Sequence, residues 1–198
     1  DTAPTTTSCA VGGQNAVISL RDCDIYGVQA TPPRGVQNGV GVYVYGASTT
    51  CTVRDCDLRD NQKAFLVASN QARLDVHDCT LTGRGPTTTI AQNALQYTSR
   101  AFGEIRGCTL DGFWWTGSTY TSAGVLAYDA GAPITIDGNT FLDTQTGIYW
   151  FNSLTSTIGL TITGNTMTRV AIAPAHLDGI DVYNTGTVSG GTYTIAGN

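Results

Sequence analysis

Six times along its 198 residues the chain repeats one short phrase: a branched apolar residue, two polar or glycine positions, Cys or Asn, one polar residue and another large apolar residue. The copies run Leu20–Ile25, Val53–Leu58, Val76–Leu81, Ile105–Leu110, Ile136–Phe141 and Ile162–Met167, and a seventh begins at Ile195. The shared Cys/Asn positions are Cys23, Cys56, Cys79, Cys108, Asn139, Asn165 and Asn198, separated by 33, 23, 29, 31, 26 and 33 residues. A period of this length marks stacked supersecondary units, each able to bury its apolar face only against its neighbours.

Each repeat carries a second apolar alternation, usually opened by Gly or Ala: Gly39–Val44, Ala64–Val67, Ala94–Tyr97, Gly124–Ala127, Gly147–Trp150 and Gly179–Val182. Alternation with period two predicts a short strand with one face inward. The phrase itself predicts two more strands, broken by a tight corner at Asp-Cys, Gly-Cys or Gly-Asn, residue types that accept left-handed geometry. Three short strands and three turns then make one coil. Helix formers are scarce, with Lys63, Glu104 and Met167 the only residues of their kinds, so the fold class is all-β. The expected inward set is Val40/Val42/Val44, Phe65/Val67, Leu95/Tyr97, Val125/Ala127, Ile148/Trp150 and Ile180/Val182. By alternation the outward files are Tyr43, Leu66, Gln96, Leu126, Tyr149, Asp181 and Tyr45, Ala68, Thr98, Tyr128, Phe151, Tyr183.

This pattern, over residues 16–198, resembles the right-handed parallel β-helix superfamily, which includes pectate lyases, polygalacturonases, alginate epimerases and phage tailspikes. The resemblance implies a solenoid of about six to seven coils with three short strands per coil. It also implies an interior ladder of corner side chains in which Asn139 and Asn165 match the family's stacked asparagines. Cys23, Cys56, Cys79 and Cys108 take the same place in the first four coils. A stacked amide finds its partners in the next corner, whereas a buried thiol asks for little. Cys51 has the parity of an inward residue and Cys9 precedes the clear repeats. A buried thiol stack, disulfides or a metal would each use these cysteines, and the absence of any C-x2-C pair disfavours the metal.

One domain over residues 9–198, its last coil incomplete, follows a Thr/Pro-rich segment at 1–8 that reads as a short linker or stalk. The net charge of −5 and the scattering of Lys and Arg exclude a nucleic-acid surface. No apolar run is long enough to span a membrane, and neither cofactor nor metal is expected. Little Lys and Glu with much Thr and Gly suits an extracellular or cell-surface protein. Long insertions fall at 29–38, 82–93, 111–123 and 168–178, on one edge of the coils. In the resembled family that edge frames a substrate cleft, and loops on rigid scaffolds commonly carry binding.

Tyr43, Tyr45, Tyr128, Tyr149, Phe151 and Tyr183 are the expected ligand-binding residues, because an outward aromatic strip marks an interaction surface and sugar C–H faces stack on such rings. Arg21, Arg54, His77 and Arg106 form a file beside Asp22, Asp55 and Asp78, expected to compensate one another in solvent. His176-Leu-Asp178-Gly-Ile-Asp181 resembles in part the Asn-Thr-Asp-Gly-x-Asp stretch of polygalacturonases, where carboxylates hydrolyse glycosides; the family's other catalytic elements are missing. The favoured reading is a noncatalytic module that presents an aromatic, loop-edged face to a polysaccharide or glycan, or to another subunit. Its rivals are a fragment of a polysaccharide hydrolase or lyase using Asp178 and Asp181, and a structural protein whose copies stack through open helix ends into a filament.

Overall fold

The computed structural model describes residues 9–33, 35, 37–117, 121–169 and 178–198; the segment 1–8 and the pair His176-Leu177 lie outside them. The first coil comprises β1 (Cys9–Gln14), β2 (Val17–Arg21) and β3 (Asp24–Tyr26), the second β4 (Val40–Tyr45), β5 (Thr50–Arg54) and β6 (Asp57–Arg59). The third is β7 (Ala64–Ser69), β8 (Arg73–His77) and β9 (Thr80–Thr87), the fourth β10 (Asn93–Thr98), β11 (Phe102–Arg106) and β12 (Thr109–Trp115). Then come β13 (Ala123–Tyr128), β14 (Ile134–Asp137) and β15 (Thr140–Leu142), followed by β16 (Thr146–Asn152), β17 (Ser156–Thr163) and β18 (Thr166–Thr168). β19 (Asp178–Asn184) and β20 (Val188–Ala196) begin a seventh turn. Each strand pairs in parallel with its counterpart one coil away, giving sheets of seven, seven and six strands in the orders β1-β4-β7-β10-β13-β16-β19, β2-β5-β8-β11-β14-β17-β20 and β3-β6-β9-β12-β15-β18.

The repeated phrase supplies the core. Its opening residues stack in register as Val53, Val76, Ile105, Ile136 and Ile162, all fully buried. Its closing residues stack as Leu58, Leu81, Leu110 and Phe141. Each such side chain contributes about 1.5–3 kcal/mol by leaving water. In the seventh turn Val182, Tyr193 and Ile195, which continue the inward files, are 36%, 40% and 49% exposed.

The corner between the phrase's two strands requires a left-handed residue immediately before each Cys or Asn. Asp22, Asp55 and Asp78 supply φ of 51°, 53° and 53°, and Gly107, Gly138 and Gly164 supply 64°, 64° and 62°. At Gly107 a Cβ would also fall 2.6 Å from Asp78 Oδ1. The residue after the corner turns inward and bonds to the next coil. Cys108 N donates to Asn139 Oδ1 at 2.9 Å, Asn139 N to Asn165 Oδ1 at 3.0 Å and Asn165 N to Asn198 Oδ1 at 3.1 Å. Sulfur takes the same role at longer distance: Cys23 N donates to Cys56 Sγ and Cys79 N to Cys108 Sγ, both at 3.4 Å. Each thiol returns its proton to the carbonyl two residues back, as Cys56 does to Arg54 O at 3.1 Å and Cys79 to His77 O at 3.1 Å. All six cysteines are free thiols. Burial pushes Cys51 up to about 12 and Cys56 up to about 11, and a hydrogen bond to Cys108, then burial, raises Cys79.

Two expectations are corrected. β7 is displaced by one residue from the expected parity, since Leu66 pairs with Val42 and Leu95, and Ala68 with Val44 and Tyr97. Leu66 and Ala68 therefore face the core, while Val67, with Val40, belongs to a small apolar cluster beside Tyr43 and Cys9. Strands of the first sheet enter with two successive inward residues, so simple alternation fails at their start. The first of the two is usually small: a Cβ at Gly124 would lie 2.6 Å from the Phe141 ring and one at Gly147 3.1 Å from Met167 Sδ. Phe65 takes this place and meets Phe113 edge to face at 5.0 Å. Further on, two of the expected loops begin as strand. β9 and β12 continue past the third sheet and pair Gly85 with Phe113, Pro86 with Trp114 and Thr87 with Trp115, after a shift between Asp111 and Phe113. Gly83 permits this approach, because a Cβ there would lie 2.5 Å from Gly112 O.

Replacing Asn139 by Ala strands Cys108 N and the carbonyl of Ile105, which accepts from Asn139 Nδ2 at 3.1 Å, and is expected to cost about 2–4 kcal/mol. Replacing it by Cys, the residue that fills this position in earlier coils, is expected to cost clearly less; urea denaturation of both variants measures the difference. A thiol reagent at neutral pH is expected to label half-buried Cys9 and Cys23 well before Cys51, Cys56, Cys79 and Cys108, because burial withholds access from all four, and a raised pKa withholds thiolate from Cys51, Cys56 and Cys79 as well. Equal labelling rates in the native state contradict the column.

Candidate functional site

The doubled inward step at the start of each first-sheet strand places residues three apart on the same outer face. Three outward files result. The first contains Val40, Ala64, Asn93, Ala123, Thr146 and Asp178; the second Tyr43, Val67, Gln96, Leu126, Tyr149 and Asp181; the third Tyr45, Ser69, Tyr128, Phe151 and Tyr183. Over this face from β7 to β19 lies a cleft of about 1090 Å³. Asn93, Ala123, Thr146, Leu126 and Tyr149 floor it, and Thr89, Ile90, Trp115 and Thr121 wall it on the loop side. Lys63 stands at one end and Asp178 and Asp181 at the other. From β7 to β19 is four interstrand steps, about 19 Å, so the cleft runs along the solenoid axis.

Of the six aromatic residues expected to bind, Tyr128 and Tyr149 line this cleft, and Phe151 and Tyr183 continue the file beside Tyr128. Tyr128 stacks on Phe151 with centroids 4.9 Å apart and planes 19° apart, and Phe151 on Tyr183 at 5.7 Å and 26°. Tyr128 and Tyr183 are 45% and 53% exposed, so the rings offer faces or edges to solvent. Tyr149 lies on the floor beside them. Tyr43 and Tyr45 sit on the same sheet but line a separate hollow of about 480 Å³ with Gly12, Gly13 and Gln14. Between the two groups β7 and β10 present Val67, Ser69, Gln96 and Thr98, so no continuous aromatic strip exists.

Asp178 and Asp181 both face the cleft, about 10 Å apart along one strand. Asp181 pairs in register with Tyr149; burial first, and then the negative charge of Asp181, raises the Tyr149 hydroxyl. No Lys or Arg among the described residues forms an ion pair with either carboxylate. At the other end Lys63 Nζ donates to Ala91 O at 2.8 Å, and burial lowers its pKa to about 8.

Sequence reasoning missed the corner that supports this cleft. Gln92 is fully buried and its Nε2 donates to Asn61 O at 2.7 Å and Gln62 O at 3.1 Å, while its Oε1 accepts from Arg84 N at 3.1 Å. Gln92 N donates to Ser122 Oγ at 3.0 Å, and Gln145 Oε1 accepts from both Ser122 N at 2.9 Å and Trp115 N at 3.2 Å. Val28 N and Ala30 N donate to Asn61 Oδ1 and Gln62 Oε1. A second polar ladder thus fastens the long loops to the first sheet. Its signal is a Gln or Ser one or two residues before a first-sheet strand, at Gln62, Gln92, Ser122 and Gln145, legible only once strand starts are known.

The second sheet's charged file is self-compensated. Arg21 reaches Asp55 at 3.3 Å, Arg54 reaches Asp78 at 3.2 Å and Arg106 reaches Asp137 at 2.5 Å, each bridging to the following coil. His77 contacts Glu104 at 3.2 Å, and Glu104 also accepts from Arg106 at 2.9 Å. Such exposed pairs contribute about 0–1 kcal/mol each and leave little unpaired positive charge for an anionic ligand.

A family model described as a right handed beta helix region matches residues 8–198. No curated protein and no solved structure matches the chain.

Gln92→Ala removes a partner from Arg84 N, Asn61 O and Gln62 O, and is expected to destabilise the protein by about 2–3 kcal/mol; an unfolding midpoint within error of the parent contradicts the ladder. The pH dependence of Lys63 has a defined sign. Its folded pKa of about 8 lies below the ordinary 10.5, so the unfolded chain binds more protons between these values and stability rises with pH there. Burying the cation is unfavourable below about 8, and the penalty is relieved as the amine loses its proton. The stability of the parent minus that of Lys63→Met, followed by denaturation, is expected to climb across this window and to be flat below it.

Proposed function

The chain belongs to the right-handed β-helix family, and on that premise we propose that it binds a polysaccharide strand lengthwise in the cleft of the first sheet, in an extracellular or cell-surface setting. The observation that carries this reading is a cleft several coils long lined by Tyr128 and Tyr149, with Tyr128 opening a file of stacked rings that continues through Phe151 and Tyr183. A pyranose buries a C–H face on an aromatic ring while its hydroxyls need polar partners at the rim. Asn93, Thr121, Gln145 and Thr146 line the same space and supply donors and acceptors. The fold is often met in polysaccharide-related proteins, which supports the ligand class, and the composition supports the setting. Rigid parallel sheets beneath the cleft favour a preformed site, which lowers the ordering cost of binding.

A second reading, hydrolysis or lyase chemistry on the same strand, is favoured by one observation: Asp178, Asp181 and Lys63 all open into the cleft. Two carboxylates on one face suit acid and base roles when their separation admits a water or the substrate. Prolonged incubation with a bound glycan, followed by assay for new reducing ends or unsaturated products, separates the two readings.

A glycan array followed by titration with the best oligosaccharide tests binding. The double variant Tyr128→Ala, Tyr149→Ala is expected to weaken that affinity at least about tenfold, or about 1.4 kcal/mol. Its unfolding midpoint should move little, because both side chains face outward from the core. Unchanged affinity in the double variant removes the cleft as the site.

A further inference from the structure

The charges around the cleft are arranged end to end. Lys63, the chain's single lysine, occupies one end, and Asp178 and Asp181 occupy the other about 19 Å away. Neither carboxylate has a cationic partner among the described residues, in contrast to the second sheet, where arginines neutralise most carboxylates. Around Asp181 the surroundings are aromatic: Tyr149 is its neighbour one coil back, Tyr183 lies two residues along the same strand, and Phe151 stacks on Tyr183. Ring faces attract cations through their quadrupole, and a carboxylate beside them adds Coulomb attraction and a charge-assisted acceptor. An unmodified hydroxyl uses neither feature fully, and an anionic sugar is repelled by both carboxylates.

We propose that the Asp178/Asp181 end of the cleft takes a protonated amino sugar, the ammonium resting between Asp181 and the faces of Tyr149 and Tyr183, a proposal that rests on the glycan reading of the cleft. Lys63 at the far end repels the same group, so a strand with few free amines lies with an amine toward β19. The ligand class is therefore a cationic or partly deacetylated glycan, bound without any covalent step.

The test compares a hexamer of glucosamine with the hexamer of N-acetylglucosamine by isothermal titration at about pH 6, where an amine with a pKa near the α-amino range of ~7.7–8.0 is charged. The glucosamine hexamer is expected to bind at least about tenfold tighter, with the advantage shrinking as salt is raised. Asp181→Asn is expected to bring the two affinities within about threefold of each other, chiefly by weakening the amine form. Equal or tighter binding of the acetylated hexamer overturns the amine assignment, as does an advantage that survives in both Asp181→Asn and Asp178→Asn. In either case binding of the acetylated, neutral or acidic glycans through Tyr128 and Tyr149 leaves the glycan reading standing; failure of every glycan overturns both. Should the Asp variants not fold, the comparison of the two hexamers on the parent protein decides alone.

Discussion

Everything in this molecule depends on the hydrogen bond that each backbone makes to the coil beside it. Parallel pairing at ~4.8 Å repeats three times per turn, and it forces residues at equivalent positions into vertical files. A side chain is then selected against its copies above and below as much as against its own neighbours in sequence. In the interior this yields stacks of Val and Ile from the second sheet and of Leu and Phe from the third, all fully or nearly fully buried. At the corner it yields a chain of amide and thiol contacts, in which one member's backbone N–H is satisfied by the next member's side chain. Either residue type works because both can accept from N–H and return a proton to a carbonyl, though the amide does so at 2.9–3.1 Å and sulfur at 3.4 Å.

The same stacking makes like charges meet, and the chain resolves this by offset. An arginine in one coil reaches an aspartate of the following coil, Arg21 and Arg54 the corner residues Asp55 and Asp78 and Arg106 the strand residue Asp137, so that each cation sits against an anion. Asp55 and Asp78 are also the left-handed residues that make the corner, and there one residue type serves turn geometry and charge balance together. The cost of stacking is instead borne at insertions. Loops of unequal length cannot continue the ladder, so buried Gln92, Asn93 and Ser122 take over the polar bookkeeping and tie loop backbone to the first sheet. The cleft wall is firm for that reason.

A flat sheet offers no pocket. The cleft arises because Thr89, Ile90, Trp115 and Thr121 rise beside the first sheet on one edge, while Tyr128, the first ring of the stack it makes with Phe151 and Tyr183, lines the other side. The doubled inward step at each strand entrance turns residues three apart, such as Asp178 and Asp181, to the same face. It also gives the cleft its charge polarity, since among the described residues the stacking brings no cationic partner to these carboxylates.

How much of this was legible in advance follows from the range of each interaction. The repeated phrase by itself determined the coil, the corner, the column from Cys23 to Asn198 and the all-β parallel architecture, because these depend on one residue meeting its own equivalent, and equivalence can be read from spacing. The compensated charge file was legible for the same reason. The phase of β7 was not, since Phe65, Leu66, Val67 and Ala68 are all apolar and alternation has no contrast to reveal; only pairing with Val42 and Leu95 settled it. The division of the aromatic residues into two groups, the strand extensions at Gly85 and Phe113, and the Gln92 corner depend on loops of different length packing against each other. Their contacts join unlike residues in unlike places, for which a repeat carries no information. The sequence determined what stacks on what; only the tertiary structure decided what the insertions enclose, because enclosure is a property of surfaces that meet once.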